Sequence, residues 1–321
     1  MAQMFDAQTV SSTLAFVKGE LERVDPQLYL PLEDATWGRD IETREDVAFY
    51  DEVSSFILAN FAGGFGGTGI GKKSWITNGT TTPAQVGVGA KKVMSPMTPW
   101  GMEVSFSIRE LMAAMAVGRP IDVQKFDALR IKHQLDIDEQ VYVGDSEIGV
   151  SGLLNNPDVT VENLGVIDKS TSVADIIDMF AAIMNDAWKV TGYTRMPDRI
   201  LVPPAVYARL VATQLTNTNE NLLNYLQNNN LRAQTYGTEL KILPVKWLGN
   251  EDYFSTPRIV AYTKARDVVR FPLVRLQALP VQHRDYFQIV PYYGALGAVE
   301  FVRPEMVYYG DLAAVESGSG S

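Results

Sequence analysis

The sequence predicts an α+β chain in which a long helical spine joins strand-rich segments to an α/β lobe. Three observations carry this. Met102, Val104, Phe106 and Ile108 alternate with Glu103, Ser105 and Ser107, the period of a half-buried strand. The period then changes: Ile108, Leu111, Met112 and Met115 fall on one helical face. After Gly118-Arg119-Pro120 a second helix is expected from Pro120 to about Val141, a rod of roughly 30 Å. Finally, helix-like and strand-like segments alternate between Ser172 and Phe271.

Residues 1–62 read as an arm followed by helix. Val10–Val17 can start a short helix, and Leu28–Leu32 is extended because Leu30 precedes a proline. Val47, Tyr50, Val53 and Ile57 are spaced for one face of a helix over 46–61. Residues 63–101 break all periodicity, with six glycines in the nine positions Gly63–Gly71. Val86 and Val88 suggest a weak strand pairing antiparallel with 102–108 in a projecting β-arm that packs on another chain. The rod ends at Gly144-Asp145 and the turn-rich run Gly149–Pro157.

Residues 158–275 read as a separate α/β lobe. Ser172 is the expected N-cap of a helix buried through Val173, Ile176, Ile177, Phe180, Ile183, Met184 and Ala187. Arg199–Val202, Leu240–Val245, Arg258–Tyr262 and Val268–Phe271 read as strands, and Pro203-Pro204 opens a helix. Asn217–Asn230 is rich in asparagine. Strands are expected again at 287–293, 297–302 and 306–309, folding back beside the spine. Seven aromatics between Tyr286 and Tyr309 fit core strands, with an oligomer contact as the second reading. Ser317–Ser321 reads as a flexible linker.

At 321 residues the chain can bury a sizeable core. It has no cysteine, hence no disulfide and no thiolate chemistry. No apolar run is long enough to span a bilayer as a helix. The net charge is −10, of which residues 1–60 carry −8, from twelve acids and four bases. That acidity argues against phosphate-backbone binding there. It leaves a solvated face or a contact with basic groups of a neighbouring subunit.

Catalytic chemistry is hard to find. Gly66–Lys73 approaches a phosphate-binding loop, but Lys73 stands where a hydroxyl is needed and no helix former follows. His133 lies near Asp136 and Asp138, yet the three do not share one helix face, so a polar helix surface is expected. Glu139 and Asp145 are one conceivable carboxylate pair among many.

Ser107-Ile-Arg-Glu-Leu through Gly118-Arg-Pro-Ile-Asp122, Val143-Gly-Asp, Gly149–Pro157 and the closing Val302–Asp311 resemble the major capsid proteins of tailed bacteriophages. The matching element order covers about residues 1–312. The resemblance implies an α+β tailed-phage major capsid fold of the Hong Kong phage type. Its parts would be an N-terminal arm (1–62), an extended β-hairpin loop (63–106), a long spine helix with a peripheral β-sheet (107–152 and 276–312), an α/β axial domain (153–275) and a flexible tail (313–321). The implied function is self-assembly, as pentamers and hexamers, into an icosahedral shell around double-stranded DNA, in a virion made in the host bacterial cytoplasm. The implied partners are the chain itself, portal, scaffolding or decoration proteins and DNA bound without sequence specificity. No enzyme activity, cofactor, metal or membrane is implied.

Candidate interface residues under this resemblance are Lys72, Lys73, Trp75, Lys91, Lys92, Trp100, Arg119, Glu139, Asn228 and Arg303. Some members of the family crosslink a loop lysine to a neighbour's asparagine, but no lysine here is marked as reactive. The chain reaches its first helix within roughly ten residues, so a separate scaffolding protein, or none, is expected. The alternatives are an encapsulin-like compartment packaging cargo enzymes and, more remotely, a nucleotide-binding enzyme using the glycine run 63–71.

Overall fold

In the computed structural model, strand-to-helix conversion at Ser107 follows from a capping box. The Ser107 hydroxyl accepts from the Glu110 amide (3.1 Å), and the Glu110 carboxylate accepts from the Ser107 amide (3.4 Å). The structure describes residues 34–63, 86–117, 121–168, 171–215, 220–250, 253–254 and 256–313. All described elements lie in one compact unit within Ala35–Ser321.

The first part of this unit holds a short helix α1 (Trp37–Asp40), strands β1 (Glu42–Arg44), β2 (Val53–Gly63) and β3 (Val86–Ser107), and the spine helices α2 (Ile108–Val117) and α3 (Ile121–Tyr142). After α3 come β4 (Gly144–Asp145), β5 (Val150–Ser151), β6 (Val161–Leu164), α4 (Val173–Val190), β7 (Arg199–Val202) and α5 (Pro204–Ala212). The chain continues through α6 (Leu222–Asn228), α7 (Leu231–Tyr236), β8 (Lys241–Pro244), β9 (Arg258–Tyr262) and β10 (Val269–Ala278). It closes with β11 (Gln282–Arg284), β12 (Phe287–Gly297), β13 (Glu300–Phe301) and β14 (Val307–Leu312).

Two main sheets result. A seven-stranded sheet runs β1-β10-β12-β3-β2, with β11 on β12 and β13 on β10. A five-stranded sheet runs β6-β14-β9-β7-β8. The second is buried on both faces, which is why its strands read as continuous apolar runs. Ile200, Val202, Ile242, Ile259, Ala261 and Tyr308 face α4, α5 and α6. Leu201, Val260, Tyr262, Val307 and Tyr309 share a core with Ile137, Val141 and Tyr142 of α3 and with Phe271 and Leu273 of β10.

Several expectations are met. Ser172 caps α4 by accepting from the Asp175 amide (3.2 Å), and Ile176, Phe180, Ile183, Met184 and Ala187 are its buried face. Beyond what the sequence leads one to expect, Asn221 and Asn230 of the asparagine-rich stretch cap the short helices α6 and α7.

Other expectations are corrected. The helix expected over 46–61 is absent, and Val53–Gly63 is strand β2. Val86–Val88 does not pair with 102–108: both belong to the single strand β3. Its half Met97–Ser107 pairs with β12, and its half Val86–Pro96 pairs with β2. The strand expected at 268–271 belongs to the sheet of β12, not to the lobe, so 275/276 cuts through β10. The last strand does not return to the spine's sheet: β14 lies between β6 and β9 in the five-stranded one. The 118–120 break, the glycine run and the expected elements of residues 1–33 lie outside the described residues.

Candidate assembly surfaces

The element with the clearest uncovered face is the ribbon of β2 and β3. Val53–Gly63 pairs residue for residue with Val86–Pro96, and at about 3.3 Å per residue this is some 36 Å of two-stranded sheet. Among the described residues no third strand flanks it, since β12 stops its pairing at Met97. Directly opposed residues share a face. One face carries Ser54, Phe56, Leu58, Lys91 and Val93; the other carries Val53, Ile57, Lys92 and Met94. The first is held at its base by the chain's own body, with Ser54 buried and the Arg270 guanidinium 5.3 Å from the Phe56 ring. The second is bare: Val53, Ile57 and Met94 are 49 %, 69 % and 65 % exposed.

A buried carboxylate fixes the ribbon's base. Glu300 accepts from Arg44 Nη1 (3.2 Å), Arg270 Nε (2.6 Å) and the Ser54 hydroxyl. Arg44 also donates to the Ser54 hydroxyl and the Ser55 carbonyl, and Asp46 grips its other edge (2.7 Å). These bonds to Asp46, and then the Glu300 charge, hold the guanidinium pKa above its ordinary value. A charged residue between Val299 and Phe301 is the signal in the sequence that could have exposed this anchor.

A second anchor ties segment 35–44 to the spine. Buried Asp40 accepts from Arg39 (2.8 Å) and from the Tyr142 hydroxyl, with Arg199 3.5 Å away. Burial, and then the Asp40 charge, push the Tyr142 pKa well up. Asp138, also buried, accepts from the Thr36 and Trp37 amides (2.7 and 3.0 Å) and from Trp247 Nε1 (2.8 Å). These carboxylates are structural.

The same pattern corrects the reading of His133, which is not on a polar surface but 4 % exposed. It packs edge-on against Trp100 at 4.6 Å, below Leu129 on the helix, and among the described residues its Nε2 has no hydrogen-bond partner. Among the described residues no group of three metal-ligating side chains comes together.

A concavity of about 810 Å³ lies between Thr98–Trp100, the end of α3 and the β4–β5 turn. Trp100 and Glu139 both line it. Trp100 Nε1 donates to Asp136 (2.9 Å), and Glu139 accepts from the Tyr253 hydroxyl (3.0 Å). Lys91 and Lys92 stand exposed on opposite faces of the ribbon. Asn228 ends α6 and Arg303 precedes a short turn before β14; both are exposed and neither lines the concavity. Lys72, Lys73, Trp75 and Arg119 lie outside the described residues.

A family model described as "Major capsid protein" matches residues 71–312, three quarters of the chain. The chain belongs to the major capsid protein family. It is a shell-forming protein whose place is the virion capsid. No curated relative matches the sequence.

Solved structures agree on the Hong Kong phage-type capsid fold. The capsid of Myoviridae phage XM1 is 17 % identical with TM-score 0.71, over 98 % of this chain and 100 % of that one. A chain of Gordonia phage Cozz is 11 % identical with TM-score 0.57, over 98 % and 99 %. A chain of Mycobacterium phage Bobi is 10 % identical with TM-score 0.58, over 98 % and 100 %. In this capsid protein the two buried carboxylate anchors hold the ribbon and segment 35–44 rigidly to one body, which a shell subunit needs if its contacts are to repeat from copy to copy.

Proposed function

We propose that the chain assembles with itself into pentamers and hexamers that tile an icosahedral shell around double-stranded DNA, with the β2–β3 ribbon acting in trans as the extended loop. The carrying observation is the ribbon itself. An isolated two-stranded sheet is marginal in water, and this one leaves an apolar face uncovered. A neighbouring subunit supplies the missing cover. In this reading the seven-stranded sheet with α2 and α3 is the peripheral domain. The five-stranded sheet, completed by β14, with α4–α7 is the axial domain. Portal, scaffolding or decoration proteins and non-specific DNA are the further partners, and assembly takes place in the host cytoplasm.

The test is expression of the chain alone, followed by size-exclusion chromatography and negative-stain electron microscopy. Capsomers or closed shells are expected. Monomer at every concentration and salt overturns the shell reading. Nuclease-protected DNA inside particles from infected cells tests the cargo, and its absence overturns the DNA part alone.

A further inference from the structure

One end of the five-stranded sheet gathers cations that lie far apart in the sequence. Lys241 at the start of β8, Arg199 at the start of β7, Tyr262 at the end of β9 and Val307 at the start of β14 are cross-strand partners in one row. The row spans about 14 Å at ordinary strand spacing. The segments that enter or leave the sheet there therefore lie side by side. Arg195 precedes β7, Lys264 and Arg266 follow β9, and Arg303 precedes β14 with its amide on the Val268 carbonyl (3.2 Å). Arg232 of α7 joins them by donating to the Met196 and Pro197 carbonyls (2.9 and 3.2 Å). The carboxylates at this end are largely taken up. Asp267 pairs with Arg195 (2.8 Å), Glu42 with Lys264 (3.4 Å), and buried Asp40 with Arg39 and Arg199. Asp198 accepts the Lys264 amide (2.8 Å), and Glu239 is exposed two residues before β8. Glu305 and Asp158 lie toward β6, where they line a small separate cavity. Among the described residues Arg232 and Arg266 donate to backbone carbonyls alone, and the exposed Lys241 and Arg303 have no carboxylate partner.

We propose that this end of the sheet is the face the subunit turns toward double-stranded DNA, and that Lys241, Arg266 and Arg303 hold its phosphates. The fit is one of charge and of spacing. Each strand of duplex DNA carries one phosphate per about 3.4 Å of axis, so a 14 Å row faces about four phosphates. Cations without a carboxylate partner can replace the counterions that those phosphates otherwise hold. Contacts to the backbone position DNA and carry no base readout, as a shell that encloses any sequence requires. The net charge of the whole chain, −10, opposes such binding, so the local face must supply it. The proposal rests on the reading of a shell around DNA and specifies which face of the subunit meets that DNA.

The test is fluorescence anisotropy of a labelled, mixed-sequence duplex of about 20 base pairs with the full-length protein, over a salt series. Wild type is expected to bind at low salt and to weaken as salt rises. Lys241→Glu/Arg303→Glu is expected to weaken binding at least about tenfold at low salt and to lower the salt slope by about 2. Arg130→Glu/Arg284→Glu makes the same change of net charge at exposed positions of α3 and β11, and is expected to bind within about twofold of wild type. Circular dichroism is expected to be unchanged in both. Should the reversal at 241 and 303 unfold the chain, Lys241→Gln/Arg303→Gln carries the test, with an expected loss of about threefold or more. Equal weakening by the two reversals overturns the proposal, because net charge and not this face would then govern binding. Unchanged affinity in Lys241→Glu/Arg303→Glu also overturns it, and if that variant in addition fails to assemble, the face is a contact between copies. Assembly of the wild type, followed by electron microscopy, decides the shell reading separately. Shells whose wild-type subunits bind no duplex overturn the proposal alone, and duplex binding through this face without shells overturns the shell reading alone.

Discussion

Glycine marks the exit of the spine for two distinct reasons, both visible at single atoms. Gly144 has φ +76°, and a Cβ on it would lie 2.3 Å from the Val150 carbonyl oxygen. Gly152 has no unusual φ, but a Cβ there would meet the Tyr142 carbonyl carbon and oxygen at 2.4 Å. The obstruction is backbone, which cannot rotate away. Gly152→Ala is therefore expected to cost about 3 kcal/mol or more in chemical denaturation, whereas Gly149→Asn, with open space and φ +69°, should cost under about 1 kcal/mol. The glycine pattern was legible in the sequence, but the close approach of residue 152 to the end of the helix was not. His133 shows the reverse failure. Its neighbours Lys132, Gln134 and Asp136 are polar, so it reads as surface. Yet it continues the row Leu129–Ile137–Val141, and that row is buried. Burial lowers its pKa from 6.5, partly opposed by Asp136. The unfolded chain therefore takes up the proton first as pH falls, and the stability present above about pH 6.5 is lost progressively toward the lower folded-state value. His133→Leu removes the unsatisfied Nε2 and should flatten this dependence. The measurement is urea denaturation at pH 7.5 and 5.5, where wild type is expected to lose more stability than the variant. Equal losses would show that the imidazole titrates freely.

Elements with one buried face were the legible ones. The α4 stripe, its Ser172 cap and the alternation at 102–108 each follow from a period imposed by a core. The ribbon has no core of its own to impose one. Val53, Phe56, Ile57 and Leu58 place apolar residues on both its faces, so the spacing of Val47, Tyr50, Val53 and Ile57 mimics a helix. The sequence reading places 306–309 with the peripheral sheet, whereas the partners of β14, β6 and β9, are chosen by long-range pairing that no local pattern encodes. The ribbon gives an element-scale prediction. Replacing residues 56–93 by Asn-Gly closes a two-residue turn between the opposed pair Ser55 and Met94 and keeps Ser54 on Glu300. The shortened protein should stay folded, with a thermal midpoint within a few degrees of unassembled wild type, and should form no capsomers. Capsomers of normal size from this variant would show that the ribbon is not the trans contact. A collapsed midpoint would show that the subunit's own core needs it.

At the scale of the whole molecule, one apolar core spans the two sheets, although the sequence suggests a separate lobe. One apolar core runs from Ile137 and Val141 on the spine through Val260 and Tyr309 of the five-stranded sheet to Phe271 and Leu296 of the seven-stranded one. The chain also crosses between the sheets repeatedly: β9 lies in one, β10 to β13 in the other, and β14 returns. Polar ties follow the same path. Tyr309 donates to the Leu153 carbonyl (2.6 Å), Arg258 bridges Asp311 and the Leu154 carbonyl, and Asp40 joins segment 35–44 to Tyr142 of the spine and Arg199 of the lobe. Cutting at any one point leaves large apolar surface exposed on both sides, so the sheets should unfold together. In the ribbon-shortened protein, which avoids assembly, far-ultraviolet circular dichroism and tryptophan fluorescence should trace one coincident urea transition. Asp40→Ala should shift that transition as a whole, by about 3–5 kcal/mol, because Tyr142 and Arg199 lose a buried carboxylate partner together. Two separated transitions, or a shift confined to one probe, would mean that the lobe is a domain of its own and that a shell built from this subunit can flex at the junction. A single shifted transition means that curvature must instead be taken up at the ribbon and at the contacts between copies.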